Sequence, residues 1–291
     1  MENSRTETTS SIVACATITN KAENQDSFLV LEQPFKAILL ADGLGGHEYA
    51  KYAKRSSERA VNFFGKGIPE TGCQLSAPLL EELFRLAKAD MLVYAKELGL
   101  SPHPPGSDDL LGTTAITLFE NEDTIFIGYT GNGAVWHIRS NLIEFLAVKH
   151  FPWNAVNLLN PHSVPQKGKE ALYKLISNSE DAEECVPSII EIKKDRQRGD
   201  IIMICTDGIY SADQQKIGKN EKGMWLQLDP LMLGFFDHLK AVLFNAELNS
   251  DSLTNAIIHF LHEHKSMLTD DATLGILVTG KAIEQLAMVT N

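Results

Sequence analysis

Four aspartates stand at positions in the sequence where metal chemistry becomes feasible. Asp26 lies just before an apolar run, whereas Asp42 and Asp207 each end an apolar run and are followed by glycine. Asp270, paired with Asp271, precedes the last apolar run. Carboxylates gathered at the rim of a sheet repel one another, and a hard divalent cation removes that repulsion. Oxygen ligands of this kind select Mg²⁺ or Mn²⁺ rather than zinc.

The glycines after Asp42 and Asp207 favour this hypothesis, but each also has a simpler interpretation. Glycine leaves the backbone carbonyl open to a ligand or metal and permits a tight turn. An Asp-Gly pair is equally a common turn signal, so any one position alone is better explained as a turn. The metal hypothesis therefore depends on all four aspartates occurring together.

The elements that would position these aspartates come in blocks of strands and blocks of helices. Such segregation predicts an α+β fold rather than an alternating βαβ array. The predicted strands cover residues 11–19, 27–31, 35–41, 114–119, 124–130, 134–139, 142–147, 189–192, 201–205 and 273–278. The predicted helices cover residues 48–64, 77–98, 230–245 and 252–264.

We expect a single domain over residues 11–280. Residues 1–10 are predicted to be a disordered tail, and residues 281–291 a C-terminal tail. The proline-rich stretch at 102–106 is the best candidate for a linker, but the strands on both sides fit one sheet system. Residues 148–186 contain several prolines and are predicted to be irregular and partly helical.

Composition excludes several classes of function. The 291 residues include 38 acidic and 26 basic side chains, for a net charge of -12. This balance argues against nucleic acid and against an anionic membrane surface as partners. The N-terminus lacks the apolar core of a signal peptide, and no stretch reaches the roughly 18 apolar residues of a membrane span. We therefore expect a cytoplasmic monomer.

The cysteines predict neither a disulfide scaffold nor a metal site. The chain has four of them, and none lies in a C-x-x-C or related ligand spacing. We expect four reduced thiols. No nucleophilic Cys or Ser motif is evident either.

Six stretches, taken in order along the chain, resemble the type 2C metal-dependent protein phosphatases of bacteria. The most specific is the Gly-rich block that begins at Asp42. The matching stretches are Asn24–Phe28, Ala41–Glu48, Gly112–Ala115, Tyr129–Gly133, Gly199–Gly208 and Asp270–Thr273. The resemblance spans about residues 10 to 280. It implies a four-layer sandwich, in which two packed antiparallel sheets are flanked by α-helices on both sides.

The resemblance also implies the metal ligands. In the family, the residue matched by Asp42 bridges two metals, and the carbonyl matched by Gly43 binds one of them. Asp207 and Asp270 would complete the second metal, with Asp271 at the position of a family Asn. Asp26 matches an aspartate that supports the metals through water.

The chemistry implied by the resemblance is hydrolysis of phosphoserine and phosphothreonine. A water that bridges two Mg²⁺ or Mn²⁺ ions attacks phosphorus directly, and the metals stabilise the developing charge. No covalent phosphoenzyme is required. Residues 148–186, which include Trp153, match the variable flap where family members select substrate.

Several positions depart from the family pattern. Lys21 replaces a phosphate-binding Arg, and lysine cannot make the bidentate contact. Asn132 replaces an Asp tied to a third metal, which makes that third site doubtful. Leu44 replaces a His that animal members carry. His47 is expected to open the following helix rather than to take part in chemistry, and His259, His262 and His264 are expected on a solvated face.

Two rival hypotheses stay open. The first is a catalytically degenerate relative that acts as a binding or regulatory protein, motivated by Lys21 and Asn132. The second is a metal-dependent hydrolase of small phosphate esters. The retained Asp42, Asp207 and Asp270 argue against the first, because loss of metal ligands is the usual sign of an inactive relative.

Overall fold

Two five-stranded antiparallel sheets form the centre of the computed structural model of the protein. The structure describes residues 9–44, 49–70, 75–104, 110–139, 155–166, 169–210, 216–220, 223–227, 230–243, 248–268 and 270–290. Within this part of the chain, no helix combines the length and the apolar character that crossing a membrane requires.

The described residues form sixteen strands and five α-helices. The strands are β1 (Ile12–Ile18), β2 (Asp26–Leu31), β3 (Ala37–Asp42), β4 (Gly112–Thr113), β5 (Ala115–Glu120), β6 (Thr124–Thr130), β7 (Ala134–Arg139), β8 (Ala155–Asn157), β9 (Ser163–Gln166), β10 (Lys169–Leu172), β11 (Ile176–Ser177), β12 (Ser188–Lys193), β13 (Asp200–Cys205), β14 (Lys216–Asn220), β15 (Gly223–Gln227) and β16 (Ala272–Val278). The helices are α1 (Ala53–Glu70), α2 (Ala77–Glu97), α3 (Pro230–Leu243), α4 (Ser250–Glu263) and α5 (Gly280–Thr290).

The two central sheets differ in strand order. One sheet has the order β1-β16-β13-β7-β8, and the other has the order β12-β6-β5-β3-β2. Helices α1 and α2 pack on the second sheet, whereas α3, α4 and α5 pack on the first. The result is the predicted four-layer arrangement of helices, sheet, sheet and helices.

Strand β3 is apolar from Ala37 to Ala41 because both of its faces are covered. Ala37, Leu39 and Ala41 join the apolar cluster beneath helices α1 and α2. Ile38 and Leu40 join the cluster between the two sheets. Successive side chains of a strand point to opposite faces, so a strand that is covered on both faces must be apolar throughout. Strand β13 is buried in the same way.

Three predictions of local structure need correction. A 3-10 turn at Ala50–Tyr52 precedes helix α1, which then continues to Glu70 rather than ending at residue 64. The 148–186 stretch contains short strands and a 3-10 turn at Ala182–Cys185, and no α-helix among its described residues. Most of residues 281–291 form helix α5, because Ala282 and Leu286 lie on one helix face and are buried.

Some predictions fall outside the described residues. These are the N-terminal tail up to residue 8, the strand at 142–147, and Cys73. The other three cysteines, Cys15, Cys185 and Cys205, are free and buried, as expected.

Candidate functional site

The fold brings strand ends from both central sheets to one end of the sandwich. In one sheet, Asp26 at the start of β2 lies directly opposite Asp42 at the end of β3. In the other, β13 and β16 are antiparallel neighbours, with Cys205 paired to Leu274. Asp207 follows the end of β13, and Asp270 precedes the start of β16. Aspartates that are far apart in the sequence therefore meet at this end.

Asp26 is fully buried, and it links the two sheets. The hydroxyls of Thr206 and Thr273, from the other sheet, donate hydrogen bonds to its Oδ2 at 2.8 and 2.6 Å. Its Oδ1 is buried and has no hydrogen-bond partner. Desolvation raises the pKa of Asp26 to about 7, against the opposing effect of the two threonine hydroxyls. The charges of Asp207 and Asp271 contribute to the same upward shift.

Asp42 lies between like charges. Desolvation raises its pKa well above the ordinary value, and the charges of Asp26, Asp207 and Asp270 raise it further. Its backbone is fixed, since Thr114 Oγ1 accepts a hydrogen bond from Asp42 N at 3.1 Å. The strand end therefore holds the Asp42 carboxyl in place against this repulsion.

Asp207 is tied to one side of the site by Asn132. The Asn132 amide donates to Asp207 Oδ2 at 2.8 Å, while Asp207 Oδ1 is buried without a hydrogen-bond partner. Desolvation raises the pKa of Asp207, and the hydrogen bond from Asn132 opposes this shift. The charges of Asp270 and Glu170 raise it further.

The two C-terminal aspartates have different surroundings. Asp271 is buried, and it accepts hydrogen bonds from the Thr19 hydroxyl and from Gln25 N, the latter at 2.8 Å. Asp270 is about half exposed, and its Oδ1 contacts the ammonium of Lys21. Hydrogen bonds thus hold Asp271 in place on both of its oxygens. The carboxyl of Asp270 instead contacts the end of a long, flexible lysine side chain.

Both Asp-Gly glycines are required by close backbone contacts. A Cβ on Gly43 would lie 2.1 Å from the carbonyl oxygen of Ala53, the first residue of α1. A Cβ on Gly208 would lie 1.8 Å from the carbonyl oxygen of Asp271. The hydrogen bonds around the bridge between Gly43 and Thr113 use the Asp42 carbonyl and the Leu44 N–H. This bridge therefore does not engage the Gly43 carbonyl.

Glu170 is a further carboxylate at the site that sequence analysis missed. It belongs to the hairpin of β9 and β10, and its Oε2 accepts a hydrogen bond from Asn132 at 3.2 Å. Ser163 donates to its Oε1. No signal in the sequence marked Glu170, because the irregular pattern of this stretch gave no basis for pairing it with residues near 132.

Supporting polar residues were also missed. Lys54 on α1 donates to the Asp26 carbonyl at 2.7 Å, and Ser57 donates to the Gln25 carbonyl at 2.6 Å. Two threonines, Thr206 next to Asp207 and Thr273 after Asp271, bind Asp26. Both threonines lie close to a strand-end aspartate in the sequence, and this repeated spacing could have marked them as candidate site residues.

Other predicted features lie outside the site or outside the described residues. His47, Trp153 and residues 45–48 of the Gly-rich block are not described. His259 is 73% exposed, and His264 stacks on Phe260. Neither contacts the aspartates in any described interaction.

The donors at this end suit a hard divalent cation by their chemistry. Two buried carboxylate oxygens, on Asp26 and Asp207, have no hydrogen-bond partner, and Asp42 is repelled by both. A bound cation would satisfy these oxygens and remove the repulsion. Across the described stretches of chain, no three His, Cys, Asp or Glu side chains are grouped as a bound ion requires. The chemistry of the donors fits, while a complete set of ligands is not assembled.

Comparison with known proteins supports the fold. Neither a family model nor a curated protein matches the sequence. Among solved structures, the catalytic domain of the serine/threonine phosphatase PstP, in complex with two manganese ions, shares 13% identity at a TM-score of 0.57. A serine/threonine phosphatase of S. agalactiae shares 18% identity at a TM-score of 0.61. PppA of Pseudomonas aeruginosa, a regulatory component of T6SS, shares 14% identity at a TM-score of 0.57.

Each of these three alignments covers 92% of this chain and 99% of the solved chain. At such low identity, the similarity establishes a common fold. The predicted sandwich and the resemblance to type 2C phosphatases are therefore confirmed at the level of the fold.

Proposed function

We propose that this protein is a Mg²⁺- or Mn²⁺-dependent protein serine/threonine phosphatase. The observation that carries the proposal is the meeting of Asp26, Asp42 and Asp207 at one end of the sandwich, with two buried carboxylate oxygens left without hydrogen bonds. An unsatisfied buried carboxylate is costly, and such groups persist where function needs them. Two of the solved proteins that share the fold are serine/threonine phosphatases, and one of these two holds two manganese ions.

Asp42, Asp207 and Asp270 would hold the ions through their side chains, and Gly43 would contribute its carbonyl. Asp26 would support them from the buried side, where Thr206 and Thr273 fix one of its oxygens. When bound, two such ions supply an activated water and neutralise the charge that develops on a phosphate ester.

The remaining residues of the site would orient the substrate. Lys21 lies at the exposed edge of the aspartates, where its ammonium can contact a phosphate group as a point charge. The β9–β10 hairpin contacts the site through Glu170, which accepts a hydrogen bond from Asn132. We infer that a phosphorylated side chain enters between Lys21 and this hairpin, with the rest of the protein substrate outside.

A binding or regulatory protein without catalysis is the second candidate. It is favoured by the contact of Lys21 with Asp270, a proposed metal ligand. It is also favoured because the described residues include no group of three His, Cys, Asp or Glu side chains placed to hold an ion. The hydrolysis of small phosphate esters is a third outcome that activity measurements distinguish.

The test is release of phosphate from a phosphothreonine peptide in the presence of Mn²⁺. We expect hydrolysis that EDTA abolishes and that falls by at least about 100-fold in Asp207→Ala, because metal ions contribute several kcal/mol to such reactions. Asp123→Ala is the matched control, since Asp123 is an exposed aspartate outside the site that pairs with Arg196. It should hydrolyse the peptide at the wild-type rate.

Two results would contradict the proposal. The absence of hydrolysis of any ester with Mg²⁺ or Mn²⁺ would favour the binding protein. Hydrolysis of p-nitrophenyl phosphate and other small esters, with none of the peptide, would favour the small-ester hydrolase.

A further inference from the structure

The contact between Lys21 and Asp270 joins the residue assigned to phosphate with a residue assigned to metal. The Lys21 ammonium contacts Asp270 Oδ1, lies 3.5 Å from Asp271 Oδ2 and donates to Gln25 Oε1 at 3.1 Å. All three acceptors are on segments that border the aspartate cluster. The Lys21 ammonium, which carries a single positive charge, therefore lies beside Asp270, a proposed metal ligand.

The two carboxylates near Lys21 are not equally available. Asp271 is held by Thr19 and by Gln25 N, so its two oxygens are already engaged. Asp270 Oδ1 accepts from Asp271 N at 2.7 Å and from Lys21. Of these two donors, Asp271 N belongs to the backbone, whereas the Lys21 ammonium is on a side chain that lies outside the strands and can move away.

The pair between Lys21 and Asp270 is also easy to exchange. The two side chains are 38% and 48% exposed, and exposed ion pairs contribute little to stability. A divalent ion carries twice the charge of an ammonium, and it would be shared with other carboxylates of the cluster. Binding of such an ion to Asp270 would release Lys21.

We propose that Lys21 is an exchangeable counter-ion, which neutralises Asp270 in the metal-free protein and turns to the substrate phosphate once a divalent ion binds Asp270. This inference rests on the proposed function and adds an order of events to it. Lysine suits the exchange, because its single ammonium on a flexible stem can serve either anion, whereas the planar fork of arginine is specialised for bidentate pairing.

The exchange predicts that one substitution, Lys21→Met, changes the affinities for Mn²⁺ and for inorganic phosphate in opposite directions. In Lys21→Met, Mn²⁺ no longer competes with an ammonium, so Mn²⁺ should bind about threefold to fivefold more tightly than to the wild type. Inorganic phosphate, bound to the Mn²⁺-loaded protein, should bind more weakly. A residue with only a structural role would not move the two affinities in opposite directions.

Isothermal titration calorimetry of EDTA-treated protein with Mn²⁺, and then with inorganic phosphate, measures both affinities. Lys36→Met is the matched control, because Lys36 also pairs with a partly exposed acid, Glu32. It precedes β3, at the strand end opposite Asp42, roughly 20 Å away at about 3.3 Å per residue. Salt screens charges at that distance, so both affinities should stay within about twofold of the wild type.

Further variants separate the possible results. Lys21→Gln should repeat the effect of Lys21→Met, and Lys21→Arg should restore phosphate binding. In the Asp270→Asn background, Lys21→Met should no longer tighten Mn²⁺ binding. Unchanged or weaker Mn²⁺ binding by Lys21→Met would overturn the exchange but leave the proposed phosphatase intact.

The proposed function can also fail separately. If Lys21→Met shows the two opposite shifts but no variant hydrolyses a phosphopeptide, the exchange stands and the phosphatase assignment falls. If neither the wild type nor any variant binds Mn²⁺, both are overturned.

Discussion

The two ends of the β-sandwich treat acidic side chains in opposite ways. The end away from the aspartates contains an open cavity of about 1100 Å³. Glu120 in its wall is 7% exposed, and it accepts hydrogen bonds from Lys194 at 2.7 Å and from Ser11 at 2.9 Å. Other acids at this end also have cationic partners. The pairs are Lys36–Glu32 and Lys281–Glu284.

At the other end, buried acids face each other. Asp26 is more deeply buried than Glu120, but the neighbours that perturb its pKa are carboxylates and threonine hydroxyls. A lysine is present at this end too, since Lys21 contacts Asp270. In the described structure, however, the carboxyls of Asp26, Asp42 and Asp207 are perturbed by other carboxyls and have no lysine partner. The crowding of Asp26, Asp42 and Asp207 is therefore a feature that folding alone does not explain, and stability is commonly lower where a site needs such an arrangement.

The strongest test of this contrast is to neutralise one acid at each end. Asp42→Asn should lower Mn²⁺-dependent hydrolysis by at least about 100-fold. The same variant should gain about 1–2 kcal/mol of unfolding free energy in EDTA at pH 8, because a carboxyl whose pKa is raised by folding costs stability at any pH above its unfolded pKa. Phosphate release and urea unfolding measure the two effects.

Glu120→Gln is the counterpart at the paired end. It should lose about 1–3 kcal/mol, since Lys194 is left without its carboxylate, and hydrolysis per folded molecule should not change. A loss of stability in metal-free Asp42→Asn would show that the aspartates do not repel one another as described.

Two glycines with equally close contacts give a second, smaller test. A Cβ on Gly208 would meet the Asp271 carbonyl at 1.8 Å, and one on Gly280 would meet the Thr9 carbonyl at 1.7 Å. Gly208→Ala and Gly280→Ala should each cost about 2–3 kcal/mol, because backbone atoms must shift. Denaturant unfolding measures this cost.

The two variants should differ in activity. Gly208→Ala displaces the segment next to Asp207, so hydrolysis per folded molecule should fall, whereas Gly280→Ala should leave it unchanged. Equal activity in the two folded variants would contradict the placement of the site at the aspartate end.

Much of the fold was predictable from sequence because burial leaves a strong pattern. Strands β6 and β7 have the predicted bounds, since their apolar runs end at clear turn residues. The start of helix α1 was harder to predict, because it coincides with a close approach between the backbones of Gly43 and Ala53. Contacts of this kind depend on the folded backbone and leave no periodic signal.

The site was predictable in part for a similar reason. Asp26, Asp42 and Asp207 lie at strand ends, so the strand pattern alone places them at a sheet edge. The pairing of Lys21 with Asp270 joins residues that are 249 positions apart. No local pattern encodes such a contact, and the resemblance assigned the two residues to different ligands. Their contact became visible only in the structure.

Two buried histidines, His137 and His162, also differ in their partners. The pH dependence of stability that follows from this difference is the smallest effect we expect. His137 pairs with Asp200, with Nε2 and Oδ1 2.9 Å apart. His162, near Asn132, has a neutral partner, the Ser188 hydroxyl at 2.8 Å, and stacks on Tyr129. Desolvation, and then the charge of Lys174, lower the pKa of His162 to about 4.

The lowered pKa of His162 makes stability depend on pH. Because the unfolded chain binds this proton near pH 6.5 and the folded protein near pH 4, its contribution is complete above pH 6.5 and is lost as the pH falls towards 4. Between pH 7 and pH 5 the loss should reach at most about 2 kcal/mol. Urea unfolding of His162→Gln over this range should show a correspondingly flatter pH profile than that of the wild type. An unchanged slope in His162→Gln would mean that other groups at the aspartate end govern the acid sensitivity.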